Sequence, residues 1–258
     1  MARVTRFAPS PTGPLHLGHA FAALTAAARS DRFLIRIEDI DQSRCKPAHE
    51  AAIFDDLHWL GLIWQQPVLR QSTRMSFYQQ ALDRLVEKGL TYRCTCSRSA
   101  IAQSAPQGPD GPIYPGTCRN MGHHSGAIRL NMARATATMP DLGFTESGQL
   151  HRFNPRQLTD DIILNRRDAG FAYHLAVVVD DAFQGITEVT RGADLLSATP
   201  LQVTLQHLLD LPTPEYHHHR LILDDNGKRL AKRDDARALS KYRAEGATPQ
   251  DIRRMVGL

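Results

Sequence analysis

The chain has 258 residues, of which 42% are hydrophobic and 22% charged, with a formal net charge of +4. That length accommodates one large domain, or a core domain with a small insert, and the balance is ordinary for a globular protein. No run of about 18 apolar residues occurs, so neither a transmembrane helix nor a membrane partner is expected, and the N-terminus carries no secretory apolar core, so a cytoplasmic location is expected. The basic balance suits a polyanionic partner without requiring one. Lysine is confined to Lys46, Lys88, Lys228, Lys232 and Lys241.

Residues 3–8 predict a short strand, Gly13-Pro14 a turn, residues 17–28 an alanine-rich helix and residues 33–37 a second strand. Strand, turn, helix, strand opens a βαβ unit, so the expected fold class is α/β, a parallel sheet with flanking helices. Residues 48–62 and 75–87 have helical periodicity. From Tyr92 to about Gly116 the chain becomes rich in Cys, Ser, Pro and Gly, and residues 94–153 read as an insert with weak regular structure. Residues 174–179 form an apolar run that reads as a buried strand. Residues 202–209 predict a helix, residues 221–223 the end of a strand, and Asp225-Asn226-Gly227 a turn. Two short helical stretches follow. The expected division is 1–92 and 154–215 as two halves of one α/β domain, 93–153 as a small insert, and 216–258 as a basic loop with a C-terminal helical segment.

Two segments carry chemistry that suits ATP. In Phe7-Ala8-Pro9-Ser10-Pro11-Thr12-Gly13-Pro14-Leu15-His16-Leu17-Gly18-His19, the two histidines share a face at a helix start. Unpaired N–H groups and the helix dipole attract anions there, and Gly18 leaves backbone open to a flat base. Imidazoles on the phosphates and adenine against the glycine is one reading; two solvated histidines at a surface helix start is the other. Asn226-Gly227-Lys228-Arg229-Leu230-Ala231-Lys232-Arg233 is a basic turn, suited to closing over a triphosphate or simply to facing solvent.

In this order the two segments resemble the HIGH and KMSKS motifs of class I aminoacyl-tRNA synthetases. Arg6-Phe7-Ala8-Pro9-Ser10-Pro11-Thr12-Gly13, Arg36-Ile37-Glu38-Asp39-Ile40-Asp41, Trp59-Leu60-Gly61-Leu62 and Thr190-Arg191-Gly192-Ala193-Asp194-Leu195 extend the resemblance to glutamyl-tRNA synthetase catalytic domains over nearly the whole chain. The resemblance implies a Rossmann-like class I synthetase catalytic domain. It implies that His16, His19 and Lys232 are catalytic, and that His16, Gly18, His19 and Lys232 bind ATP, with Mg²⁺ accompanying the nucleotide. It further implies that Arg6, Ser10, Glu38, Tyr173 and Arg191 contact L-glutamate. The chemistry agrees: guanidinium forks hold carboxylates, Glu38 pairs with an ammonium, and Tyr173 donates a hydroxyl hydrogen bond.

Departures from the pattern are informative. Ala231 replaces the serine of KMSKS, and Arg233 is a cation where a hydroxyl is usual, so Lys232 is expected to carry most of the loop's charge work. Val177 stands where discriminating glutamyl synthetases often have Asn, which removes a polar contact worth about 1 kcal/mol. Only about 25 residues follow Arg233, too few for the helical anticodon-binding region of a full glutamyl-tRNA synthetase. This pattern resembles the glutamyl-queuosine tRNA(Asp) synthetases, which attach glutamate to queuosine in the anticodon of tRNA(Asp). The resemblance implies ATP, L-glutamate and the tRNA(Asp) anticodon loop as partners, with the base splayed out to react, and a monomer is expected.

Cys94-Thr95-Cys96 with Cys118 reads either as three parts of a zinc site, since thiolates suit zinc and structural zinc takes four ligands, or as three reduced cysteines without metal. His123 and His124 are chemically usual fourth ligands; the resemblance implies Tyr114 instead, giving Cys94, Cys96, Tyr114 and Cys118 around one structural Zn²⁺. Cys45 has no partner nearby in sequence. His217-His218-His219 does not read as a metal site, because successive strand residues face opposite ways; these residues are expected to lead into the basic loop. Two other activities stay open on sequence alone. One is glutamylation of a different RNA or a non-RNA acceptor, the other a non-catalytic module that binds tRNA or glutamate.

Overall fold

A computed structural model of the chain describes residues 2–108, 111–223 and 237–258. In chain order these form β1 (Val4–Phe7), α1 (Leu17–Ala28), β2 (Arg32–Ile37), α2 (Pro47–Trp59), β3 (Gln65–Arg70), α3 (Met75–Glu87) and β4 (Thr91–Cys94). There follow α4 (Arg98–Ser104), the short strands β5 (Gln107–Gly108) and β6 (Gly111–Pro112), β7 (Ala127–Leu130), α5 (Met132–Thr136), β8 (Leu142–Glu146), β9 (Gln149–Phe153) and β10 (Ile163–Asn165). The chain continues through α6 (Tyr173–Phe183), β11 (Glu188–Gly192), α7 (Thr199–Leu208), β12 (Glu215–His219), α8 (Leu239–Ala244) and α9 (Pro249–Val256). Among the described residues no helix is long and apolar enough to cross a membrane. The chain divides into two compact units: Met1–Thr73, Ile186–Leu196 and Glu215–Leu258 form the first, Arg74–Gly185 and Ser197–Pro214 the second.

The first unit is built on parallel strands. β1 pairs with β2 from Val4↔Arg32 to Phe7↔Ile35, β2 pairs with β3, and β11 pairs with β12 from Glu188↔Glu215 to Gly192↔His219. The Thr187 N–H donates to the Val4 carbonyl at 3.0 Å, which brings β11 to the free side of β1. α1 packs on this sheet through Ala20, Phe21, Ala23, Leu24 and Ala26; alanine favours the helix and allows its close approach. Leu24, Ile35, Ile37, Ile53, Leu57, Leu239 and Ile252 fill the core. α2 starts with Pro47 in its first turn and stops where Gly61 takes φ 77°. β3, absent from the sequence-based reading, contains Pro67 and is largely exposed. It sits at the end of the β1–β2–β3 order, a position that tolerates proline. The strand expected to end at residues 221–223 stops at His219.

The second unit joins helices to small antiparallel sheets. α3 packs on α6, and α6 on α7. At their centre the Arg74 Nε donates to Asp180 Oδ1 at 2.6 Å and the Tyr78 hydroxyl to Asp180 Oδ2 at 2.7 Å. Residues 174–179, read as a strand, lie within α6. The apolar run there is continuous because Leu175, Ala176, Val177 and Val178 are all buried, and a helix buried on most sides shows the same pattern as a core strand. The stretch expected to have weak regular structure contains β7, which pairs antiparallel with β4 and β10, and the β8–β9 hairpin. Its turn is Ser147-Gly148 with φ 49° and 86°, the two positive values that suit the twist of a two-residue hairpin. Short strands interleaved with Gly and Pro hid these pairings from the sequence.

Candidate active site

The segment between β1 and α1 is held away from helix by Pro9, Pro11 and Pro14 and stitched to its surroundings through the backbone. The Pro9 carbonyl accepts from the Glu38 N–H at 3.0 Å, the Pro11 carbonyl from the Lys46 N–H at 3.1 Å, and the Leu15 carbonyl from the Leu239 N–H at 2.8 Å. Within it, the Thr12 N–H donates to the Ser10 carbonyl at 2.8 Å. His16 is the N-cap of α1, and its Nδ1 accepts from the Gly18 N–H at 3.1 Å. His19 reaches back, its Nδ1 accepting from the His16 N–H at 3.1 Å. The ring centroids are 3.8 Å apart. Two acceptor Nδ1 atoms fix the tautomer: in each neutral ring the proton sits on Nε2, so both imidazoles present an N–H donor at a helix N-terminus. A Cβ on Gly18 would stand 3.0 Å from the His16 ring. The glycine therefore keeps the His16 imidazole seated, a reason the sequence did not show.

Glu38 follows β2. Its Oε1 pairs with Nη2 of the fully buried Arg36 at 3.2 Å. The neighbouring Asp39 is structural: its carboxylate accepts from the Ser72 N–H at 2.8 Å and the Ser72 Oγ at 2.6 Å, fixing the turn after β3. Arg6 on β1 and Arg191 on β11 are both buried. The Arg6 Nη1 donates to the Thr190 carbonyl at 3.3 Å. The Arg191 Nε donates to His218 Nε2 at 3.0 Å, and its guanidinium lies 5.2 Å from the Tyr216 ring centroid. β11 is anchored to α1 through Glu188. Burial works against that charge, yet the two hydrogen bonds from Arg29, at 2.6 and 2.9 Å, hold the carboxyl below its usual range. The three consecutive histidines diverge as a strand requires: His218 meets Arg191, whereas His219 packs edge-on against Phe21 at 5.1 Å.

Tyr173 belongs to the second unit, where it opens α6 with its ring edge-on to His174. Val177 is buried in the same helix. Lys228, Ala231, Lys232 and Arg233 lie outside the described residues.

The cysteines converge. The sulfurs of Cys94, Cys96 and Cys118 all lie within 4.8 Å of one another. The Tyr114 hydroxyl stands among them, 3.3 Å from Cys94 Sγ and 3.7 Å from Cys96 Sγ, and accepts from the Cys118 N–H at 2.9 Å. His123 is turned toward the Thr95 hydroxyl at 3.4 Å. Burial opposes a charge on Cys118, but hydrogen bonds from Tyr114, the Thr95 backbone and the other two cysteines bring its thiol down to about 6. Three soft donors and one phenolic oxygen at this spacing fit a tetrahedral metal. The site is braced by the buried Asp161, which accepts from the Tyr92 hydroxyl at 2.6 Å, from Arg119 Nη2 at 2.7 Å and from the Met132 N–H at 2.8 Å.

The family described as tRNA synthetases class I (E and Q), catalytic domain, matches residues 3–258. This chain belongs to that family. It is a ligase of the class I synthetase type. A Rhodobacter capsulatus protein named Glutamyl-Q tRNA(Asp) synthetase is 56% identical, over 99% of this chain and 100% of its own length. A protein of the same name from Thiobacillus denitrificans is 46% identical, over 97% and 84%. Among solved structures, a glutamate tRNA ligase from Elizabethkingia meningosepticum in complex with its amino acid is 26% identical with a TM-score of 0.77. The glutamate-tRNA synthetase of Elizabethkingia anophelis is 25% identical with a TM-score of 0.78. Both matches cover 100% of this chain, which spans 61% of each of those longer chains.

Of the residues singled out from the sequence, Arg6, Ser10, His16, Gly18, His19, Glu38 and Arg191 fall in the first unit, on β1, β11, the end of β2 and the β1–α1 junction. Cys94, Cys96, Tyr114 and Cys118 come together in the second. Sequence reasoning missed the residues that hold these groups: Arg36 beneath Glu38, His218 and Tyr216 at Arg191, and Asp161 beside the sulfurs. The histidine run was visible, but its partner Arg191 is 27 residues away and no local spacing links them.

Proposed function

We propose that the chain activates L-glutamate with ATP to glutamyl-adenylate and transfers the glutamyl group to queuosine in the anticodon of tRNA(Asp). What carries this reading is the match to the whole length of the R. capsulatus relative of that name at 56% identity, with the glutamate- and ATP-type residues in place. Arg6 and Arg191 hold carboxylates, Glu38 takes the ammonium, and Ser10 and Tyr173 complete the amino-acid contacts. A carboxylate oxygen of glutamate attacks the α-phosphorus of ATP, the bond to the β-phosphate oxygen breaks, and pyrophosphate leaves. The glutamate supplies its own nucleophile, so the protein contributes position and charge. His16 and His19 offer their Nε2–H donors to the phosphates, Gly18 leaves room beside them, and Lys232 neutralises charge that grows at the α-phosphate. Mg²⁺ accompanies ATP and screens its phosphates. Cys94, Cys96, Tyr114 and Cys118 hold one structural zinc. In the second step a hydroxyl of the cyclopentene ring of queuosine attacks the activated carbonyl, and AMP leaves.

The test is glutamylation of purified tRNA(Asp) with and without queuosine. The reading expects labelled glutamate only on the queuosine form, and on its anticodon fragment after cleavage. Equal labelling of unmodified tRNA(Asp), or label that persists at the 3′ end after the anticodon loop is removed, overturns it.

A further inference from the structure

The second unit contains a cavity of about 330 Å³ lined by Tyr114, Arg129, Asp160, Arg166 and Tyr173, within the size range of small-ligand sites. Its charges are arranged for a guest. The Asp160 Oδ1 accepts from the Tyr114 N–H at 2.9 Å, and that is the carboxylate's one hydrogen bond among the described residues. The Arg166 guanidinium makes no hydrogen bond or ion pair with any described residue, although it lines the same cavity. Arg129 stacks over the Tyr114 ring at 3.8 Å and donates from Nη1 to the Asp161 carbonyl at 2.6 Å, while its buried Nε has no partner among the described residues. A half-buried carboxylate and a guanidinium that share a cavity without pairing are matched by a ligand that brings both a cationic donor and an anion. Tyr173, assigned above to the transferred amino acid, forms part of the wall.

Queuosine has this pattern. It carries a secondary amine, protonated at neutral pH, a vicinal diol beyond it, and the phosphate of its own nucleotide. Guanosine, which occupies the same place in unmodified RNA, has neither the amine nor the diol. We propose that this cavity seats the acceptor nucleotide, with Asp160 taking the ammonium and a diol hydroxyl and Arg166 taking the phosphate, so that Asp160 is the residue that tells queuosine from guanosine. The inference rests on the reading of the acceptor given above and adds to it the place and the selecting residue.

Asp160→Asn separates recognition from bracing, because the amide oxygen still accepts from the Tyr114 N–H while the charge is gone. Loss of a charge-assisted contact is expected to lower kcat/KM for transfer to queuosine-bearing tRNA(Asp) by about 10- to 100-fold. Glutamate-dependent ATP–pyrophosphate exchange and zinc content should stay at wild-type levels. Arg166→Gln should raise KM for the tRNA and flatten the salt dependence of transfer by about one phosphate contact. Free queuosine nucleoside should inhibit transfer by the wild type and lose potency against Asp160→Asn, with guanosine inert against both. Wild-type transfer by Asp160→Asn overturns the inference, and so does parallel loss of exchange, zinc and transfer, which marks a bracing role alone. If the wild-type protein itself fails to label queuosine-bearing tRNA(Asp), the acceptor reading falls and the inference with it; if the wild type labels it and Asp160→Asn does so equally well, only the inference falls.

Discussion

In the first unit, three of the residues proposed to meet substrate are oriented by near chain neighbours. His16 is set by the Gly18 N–H two residues on, His19 by the His16 N–H three residues back, and Glu38 by Arg36 two residues back. In the second unit the corresponding bonds span long stretches of chain. Asp180 meets Arg74 and Tyr78 from 106 and 102 residues away, and Asp161 meets Tyr92 from 69. Local orientation makes a motif that can be read as a string. Long-range orientation makes a site that exists only after folding. The contrast is one of range: the β1–α1 junction and the end of β2 rest on helix capping and short-range pairing, whereas Asp180 and Asp161, like Glu188 and Arg191 in the first unit, depend on bonds across the fold.

The largest expected effect breaks a hub in the second unit. Arg74→Ala leaves a fully buried Asp180 without the guanidinium that neutralises it at 2.6 Å, and removing one partner of a buried ion pair costs about 3–5 kcal/mol. Urea unfolding should show a shift of that size; a midpoint near wild type would mean that Asp180 finds another partner and that the hub is dispensable. Next comes the basic loop proposed to close over ATP. Lys232→Ala should slow adenylate formation by at least about 100-fold, from loss of one transition-state donor worth about 2.7–4 kcal/mol, with the thermal melt unchanged. Exchange within a few-fold of wild type would remove the basic loop from the mechanism.

The sulfur cluster sharpens the comparison on the metal side. Protein prepared without chelator should carry one zinc, Cys96→Ser should lose it, and His123→Ala should keep it, since the Tyr114 hydroxyl and not His123 stands among the sulfurs. Metal analysis decides it: zinc lost in His123→Ala and retained in Tyr114→Phe would reverse the ligand assignment.

The smallest effect is a pH dependence in the first unit. Burial raises the Asp56 carboxyl from 3.8 to about 6, against an opposing pull from Arg243. Between those two values the folded chain binds more protons at this site than the unfolded chain does, so its contribution to stability falls as pH rises from about 4 to about 6 and stays low above. Asp56→Asn should therefore lose less stability than wild type over that interval. Parallel stability–pH curves for the two proteins would show that Asp56 titrates normally.

How much the sequence revealed follows the same division. The limits of α1 and α3 were legible because alanine-rich and amphipathic runs are local signals, and His16, Gly18 and His19 because a cap is local too. α6 was misread because Leu175 to Val178 are buried on every side, which erases the period that separates helix from strand. β3 escaped because Pro67 and exposed polar residues resemble a loop. The cysteine spacing pointed to three converging sulfurs, but that Tyr114 and not His123 stands among them depends on how β4 and the turn at Cys118 face each other. Asp160 and Arg166 gave no sequence signal at all, since neither belongs to a recognisable spacing and their common cavity forms only in the fold.

The claim on which the rest depends is that this chain makes an aminoacyl-adenylate by itself. The direct measurement is ATP–pyrophosphate exchange by the purified protein with glutamate and Mg²⁺ and no RNA present. Exchange is expected that requires glutamate, is absent with other amino acids, and disappears in Lys232→Ala. Absence of exchange under these conditions, in protein that melts cooperatively and carries its zinc, would contradict it and leave a module that binds glutamate or tRNA without activating either.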